Sequence, residues 1–195
     1  MLGEEKRPLC STKIHLRVPL ERVGVLIGER GEVKRRLEEA TGTIITIDSD
    51  NGIVIVEPVS PGLGAEGLLR AQEVIKAIAA GFSPERAFRL LEEDQMLVVI
   101  DLKEATSGEP HHMTRIKGRI IGEGGKTRRI IEETTGTFVN VGESNVAVIG
   151  DYEQVNVAVR AIEMLIEGRP HSTVYAFLNR EARRLKRRKM ASLWK

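Results

Sequence analysis

Leu26-Ile-Gly-Glu-Arg-Gly31 and Ile120-Ile-Gly-Glu-Gly-Gly125 superimpose at an offset of 94 residues. The match continues where Lys34-Arg-Arg-Leu-Glu-Glu-Ala-Thr-Gly-Thr43 lies over Arg128-Arg-Ile-Ile-Glu-Glu-Thr-Thr-Gly-Thr137. Without a gap, Gly28–Asn51 and Gly122–Asn145 share ten of 24 positions: Gly28, Glu29, Gly31, Arg35, Glu38, Glu39, Thr41, Gly42, Thr43 and Asn51. Ten identities exceed what chance likeness of two helices gives, and the period is too long for a solenoid. The chain therefore holds two copies of one small domain.

Each copy has the same coarse pattern. An alternating segment, Ile14–Val18 or Leu97–Leu102, predicts a strand. A short helical segment runs into the Gly-x-x-Gly. Glu32–Ala40 and Lys126–Thr134 then read as helices ending at Gly42 and Gly136, where a left-handed C-cap is expected. Thr43–Ile47 with Ile53–Val56, and Thr137–Val141 with Val146–Ile149, predict hairpins around Asp48–Gly52 and Gly142–Asn145. A longer helix closes each unit, roughly 65–80 and 152–166, the second with Val155, Val159, Ile162 and Ile166 on one stripe. Between the copies, Gly81–Asp94 carries Ser83 and Pro84 as a helix start, so a connecting helix is expected to hold the domains in fixed relation.

Composition limits the function classes. Of 195 residues, 41% are apolar and 30% charged, which excludes a disordered or collagen-like chain. No apolar run approaches the ~20 residues of a membrane helix. The opening Met1–Pro8 lacks an apolar core, so no secretory leader is expected. Cys10, the single cysteine, can make neither an internal disulfide nor a zinc cage, and a reducing compartment, the cytoplasm, is expected. Residues 1–95 carry 13 Lys/Arg against 16 Asp/Glu, whereas residues 96–195 carry 17 against 12. The excess gathers at Arg180, Arg183, Arg184, Lys186, Arg187, Arg188 and Lys189, a solvated helix face or a nucleic-acid contact.

The order β-α-(Gly-x-x-Gly)-α-β-β-α resembles the type I KH domain. The resemblance implies an α+β chain of two tandem KH domains (β-α-α-β-β-α), each a three-stranded antiparallel sheet packed on helices, over 9–80 and 95–168. Residues 81–94 connect them, and 169–195 form a basic C-terminal helix and tail. Pro170 is expected in that helix's first turn. Val174, Leu178 and Leu185 are expected to dock on the second domain, with Arg183, Arg184, Arg187 and Arg188 outward.

KH loops clamp about four single-stranded nucleotides, because glycines let the backbone approach the sugar-phosphate chain and the next helix offers free N–H groups. Gly28, Glu29, Arg30, Gly31, Lys34 and Arg35 are the RNA-binding candidates of the first copy. Those of the second are Arg119, Gly122, Glu123, Gly124, Gly125, Lys126 and Arg129, with Arg183 and Arg187 beside the path. Lys126 and Arg129 share a helix face, and so do Arg30 and Lys34. Leu26, Ile27, Ile120 and Ile121 are expected to form an apolar floor. Reading by base edges suits a chain with only seven aromatic residues and argues against an RRM. KH loops usually carry a basic residue between the glycines. Glu29 and Glu123 depart from this and should weaken the clamp or point away.

Other chemistries find less support. Gly124-Gly-Lys-Thr127 resembles the end of a nucleotide-binding P-loop, but that motif needs glycine where Ile120 stands. His111 and His112 diverge by about 100° on a helix and have no partner at ligand spacing. No nucleophile–base set emerges, so neither catalysis, a metal nor a cofactor is expected.

Three stretches, Thr114–Glu132, Val148–Gly168 and Val174–Arg188, are similar to the partner-of-Nob-one (Dim-two) family, as is the connector with Gly81, Phe82, Ala87, Leu90 and Leu91. The intact Gly28–Gly31 loop suggests an archaeal-type member. The resemblance implies binding the 3′ end of small-subunit ribosomal RNA during ribosome maturation, beside a Nob-one-type endonuclease. The Krr-one family is close enough to stay open. The other class is a protein-interaction scaffold, in which the acidic first copy docks a translation initiation or assembly factor and only the second touches RNA.

Overall fold

Alternating burial makes Ile14–Arg17 a strand, β1, whose even members face inward. Helices α1 (Leu20–Ile27) and α2 (Glu32–Thr41) follow, then strands β2 (Thr43–Asp48) and β3 (Ile53–Pro58), then α3 (Ala65–Ala79). This is a computed structural model, and it describes residues 13–60, 65–105 and 109–192. Cys10 lies outside the described residues. The first unit ends at Ala79 and the second begins at Ala80.

In the second unit, α4 (Pro84–Ala87) and a 3-10 turn over Phe88–Leu91 lead to β4 (Gln95–Asp101) and a single-turn helix, α5 (Leu102–Ala105). Then come α6 (Pro110–Ile121), α7 (Lys126–Thr135), β5 (Phe138–Val141), β6 (Asn145–Asp151), α8 (Tyr152–Ile166) and α9 (His171–Ser192). Both sheets are three-stranded and antiparallel, ordered β1-β3-β2 and β4-β6-β5. Each unit is thus the α+β arrangement expected from the repeat.

Several shared residues hold the fold itself. The Glu38 carboxylate accepts the Ile45 N–H at 2.7 Å, and Glu132 accepts that of Val139 at 2.9 Å. Strands β2 and β5 are sheet edges, so these carboxylates satisfy amides that no neighbouring strand can. Thr41 and Thr135 bond back to the carbonyls of Leu37 and Ile131, both at 2.7 Å, and to the hydroxyls of Thr43 and Thr137. In the first hairpin, Asn51 donates its side-chain amide to Asp48, and its backbone N–H does so too. These bonds hold the Asp48 carboxyl below the usual carboxylate range. Replacing Glu132 by Ala should cost about 1–3 kcal/mol, because the Val139 N–H is left without a partner. Gln, which keeps an acceptor oxygen, should cost less. Equal thermal melting of Glu132→Ala and the parent would contradict this role.

The connector differs from a simple helix. It is one α turn and one 3-10 turn, and it belongs to the second unit. Phe82, Phe88 and Leu90 are buried, as are Ala147 and Ile149, which alternation turns to the outer face of β6. Arg86 and Arg89 stack on Phe138 at 4.8 and 5.2 Å, and Asn140 donates to the Ala80 carbonyl at 2.7 Å. The connector therefore covers the outer face of the second sheet. On the first sheet Ile44 and Ile53, which alternation also turns to the outer face, are exposed.

Helix α9 starts just after Pro170, whose carbonyl accepts from Thr173 and Val174. Val174 and Leu178 are fully buried in the core of the second unit, and Leu185 packs against it. The α8 stripe is rotated from the expected one. Val155 and Ile162 are buried, but Val159 and Ile166 only partly, while Val157, Ala158, Ala161 and Leu165 complete the inward face.

Candidate nucleic-acid interface

The two glycine loops repeat one backbone shape. Gly28 and Gly122 sit at φ 73°, ψ 176° and φ 73°, ψ 174°. Essentially only glycine occupies that region. Arg30 and Gly124 are left-handed at φ 50° and 56°, as are Gly31 and Gly125 at φ 78°. A non-glycine residue is uncommon in the left-handed region, and Arg30 occupies it where the second copy has Gly124. The last glycine N–H bonds the first glycine carbonyl, at 3.2 Å in one loop and 3.1 Å in the other. The turn closes there, and the first N–H of the next helix, on Glu32 or Lys126, bonds back to the carbonyl of Glu29 or Glu123.

Space around the glycines separates their roles. A Cβ on Gly28 or Gly122 would fall 2.8 Å from the backbone nitrogen of Val33 or Thr127 and against that residue's side chain. A Cβ on Gly31, Gly124 or Gly125 would meet nothing within 4 Å. The first glycine of each loop is therefore required by packing against its own helix. The later ones leave open space above an exposed backbone.

The basic candidates divide. Lys126 and Arg129 are exposed and one helical turn apart, with no ion pair among the described residues. Arg35, the repeat counterpart of Arg129, is exposed and reaches the Arg30 carbonyl at 3.4 Å. Arg30 itself lies in the loop rather than on α2, so it does not form the helix face with Lys34 expected from spacing. Lys34 pairs with Glu38 at 3.6 Å, and its counterpart Arg128 with Glu132 at 3.8 Å. Both are turned toward the carboxylate that holds the edge strand. Where the second copy places Lys126 at the first position of α7, the first copy has Glu32.

Arg119 departs from its expected role. It donates to the carbonyls of Leu165 at 3.2 Å and Arg169 at 2.5 Å, tying α6 to the C-terminal end of α8. Helix-end carbonyls attract a cation there, which turns the guanidinium away from the loop. The apolar floor is also halved. Leu26 and Ile120 are fully buried in their cores, leaving Ile27 and Ile121 nearer the surface.

On α9, Arg183 and Arg187 are exposed and line a shallow surface hollow with Arg180 and Arg184. Arg184 pairs with Glu181 at 3.2 Å, and Arg188 with Glu153. Sequence reading missed a link made by this helix. The Tyr175 and Thr127 hydroxyls lie 2.9 Å apart, directly behind the second loop. No pattern along the chain signals a bond between residues 48 apart.

No helix among the described residues is long and apolar enough to cross a membrane. Residues 96–183 match the second KH domain of the PNO1 type, described as a eukaryotic-type KH domain (KH-domain type I), and residues 13–77 match the KH domain. The chain is 39% identical to a KH domain-containing protein of Methanocaldococcus jannaschii over 92% of its own length and 78% of that protein's. It is 32% identical to the pre-rRNA-processing protein pno1 of Schizosaccharomyces pombe, over 62% of this chain and 51% of that one. The chain thus spans about half the length of that relative. A chain in the crystal structure of an a/eIF2alpha–aDim2p–rRNA complex from Pyrococcus horikoshii superimposes with a TM-score of 0.82 at 40% identity, covering 89% of this chain and 96% of that one.

Proposed function

Because the chain belongs to the tandem-KH family that includes Pno1 and archaeal Dim2, we propose that it clamps single-stranded RNA, at the 3′ end of small-subunit ribosomal RNA, during ribosome maturation. It does so by binding alone, without catalysis, and in the cytoplasm. The observation that supports this best is the second glycine loop. Its later glycines stand in open space, and Lys126 and Arg129 project from the first turn of the helix behind it. A phosphate brought to that backbone meets glycines with no side chain over them, a partial positive helix end and two cations. Glu123 is the one opposing charge in the turn.

The second copy is the stronger site in this account. Lys126 stands where the first copy has Glu32, and Gly124 leaves the backbone barer than Arg30 does. Gly28, Glu29, Arg30, Gly31 and Arg35 form a weaker second contact. That asymmetry also favours a role for the first copy in docking protein: a translation initiation factor subunit, a class of protein present in the Pyrococcus complex, or a Nob-one-type endonuclease.

Arg183 and Arg187 extend the path along α9. Truncation after Gly168 cannot test them, since it removes the buried Val174 and Leu178. Arg183→Gln with Arg187→Gln leaves the core intact. Fluorescence anisotropy with a labelled single-stranded RNA should show weaker binding and a salt slope shallower by ~1.4, at about 0.7 per lost phosphate contact. An unchanged slope would remove α9 from the RNA surface.

A further inference from the structure

The second glycine loop is braced from behind, and the first is not. Two contacts do this, both from the first turns of α9. His171 Nε2 lies 3.0 Å from the Arg119 carbonyl, in the last turn of α6 before the loop. The Tyr175 hydroxyl lies 2.9 Å from that of Thr127, in the first turn of α7 after it. The two rings are neighbours, with centroids 6.1 Å apart. Thr127 is only 2% exposed, and its hydroxyl and backbone nitrogen are the atoms that pack under Gly122. The chain of contact therefore runs from α9, through Tyr175 and Thr127, to the glycine that sets the turn.

The first copy lacks every part of this. Val33 stands at the position of Thr127 and fills the space under Gly28 with a methyl group, and the first unit ends at α3 with no counterpart of α9. The two loops have nearly identical backbone angles, so the brace is not needed to form the turn. Its remaining effect is on how firmly the turn is held before a ligand arrives. Holding a loop in its bound shape beforehand removes part of the ordering cost of binding.

We infer that Tyr175 is a positioning residue: through Thr127 it holds the second glycine loop in its RNA-binding shape, and so couples the basic C-terminal helix to the clamp. This rests on the RNA-clamp reading of that loop. Tyr175 itself touches no phosphate in this account. It acts only through the hydroxyl pair.

The test is a double-mutant cycle on the full chain with Tyr175→Phe and Thr127→Val, the second being the residue that the first copy already accommodates. Each single change and the double should weaken binding of a labelled single-stranded RNA by about threefold, the scale of one neutral hydrogen bond. The losses should not add, because either change removes the same bond. The salt slope should stay that of the parent, since no phosphate contact is lost. Amide hydrogen exchange should quicken over residues 122–127 in all three variants, and Arg30–Val33 should serve as the unaffected control. Additive losses would mean that Tyr175 touches the RNA directly and would overturn the inference. So would variants that melt lower but bind RNA and exchange at 122–127 like the parent, which is what a merely structural bond gives. If the parent chain itself fails to bind RNA, the clamp reading falls, and the exchange result still decides whether Tyr175 braces the loop.

Discussion

Replacing Gly124 and Gly125 together by Asp should lower single-stranded RNA affinity at least tenfold, or ~1.4 kcal/mol, while the fold survives. The two carboxylates would stand where a phosphate must approach, and two side chains would cover backbone that must touch it. The folded state has room for them: an added Cβ at either position meets nothing within 4 Å. Both residues have positive φ, but Asp is among the residues that tolerate the left-handed region, and Arg30 already adopts it at φ 50°. An unchanged circular dichroism spectrum with a large affinity loss is therefore expected. Arg30→Asp with Gly31→Asp should cost less, because Glu32 already opposes a phosphate in the first copy. A larger loss from the first-copy pair would reverse the ranking of the two sites.

Gly122→Ala, at the start of the same turn, should instead cost stability. Its single methyl group would lie 2.8 Å from the Thr127 nitrogen and against the Thr127 hydroxyl. Overpacking of this kind costs about 1–3 kcal/mol, and a backbone region reserved for glycine adds about 1–3 kcal/mol more. Thermal melting of the second unit should drop by several degrees, and RNA affinity should fall with the distorted turn. Gly125→Ala, with open space and a left-handed angle, should cost only the milder strain. If the two alanine variants melt alike, the packing role assigned to the first glycine is wrong.

Much of this architecture could be read along the chain because the repeat writes it twice. The hairpins, the glycine-capped helices and the closing helices follow from local periodicity and turn chemistry. The reasons behind individual identities were hidden, because they depend on contacts across the fold. Glu38 and Glu132 recur since each caps an edge strand seven residues on. Arg119 looked like a loop cation, but the carbonyls it holds lie 46 and 50 residues away. Lys34, by contrast, pairs with Glu38 one helical turn on, a partner that local spacing did offer. Helical phase decided the floor: Leu26 and Ile120 fall on the core side of their helices, and a one-residue step turns Ile27 and Ile121 outward. The cover on the second sheet could not be foreseen from Ser83 and Pro84, which mark where a helix starts but not what its aromatic residues bury.

The central claim is that RNA is held at the glycine loops, chiefly the second. The most direct measurement is an NMR titration of the amide-labelled chain with a short single-stranded RNA of the small-subunit rRNA 3′ sequence. The largest shifts should fall on Gly122–Arg129, with smaller ones on Gly28–Arg35, and all should weaken as salt is raised. Shifts absent from Gly122–Arg129 at RNA saturation, or concentrated away from both loops, would contradict the account.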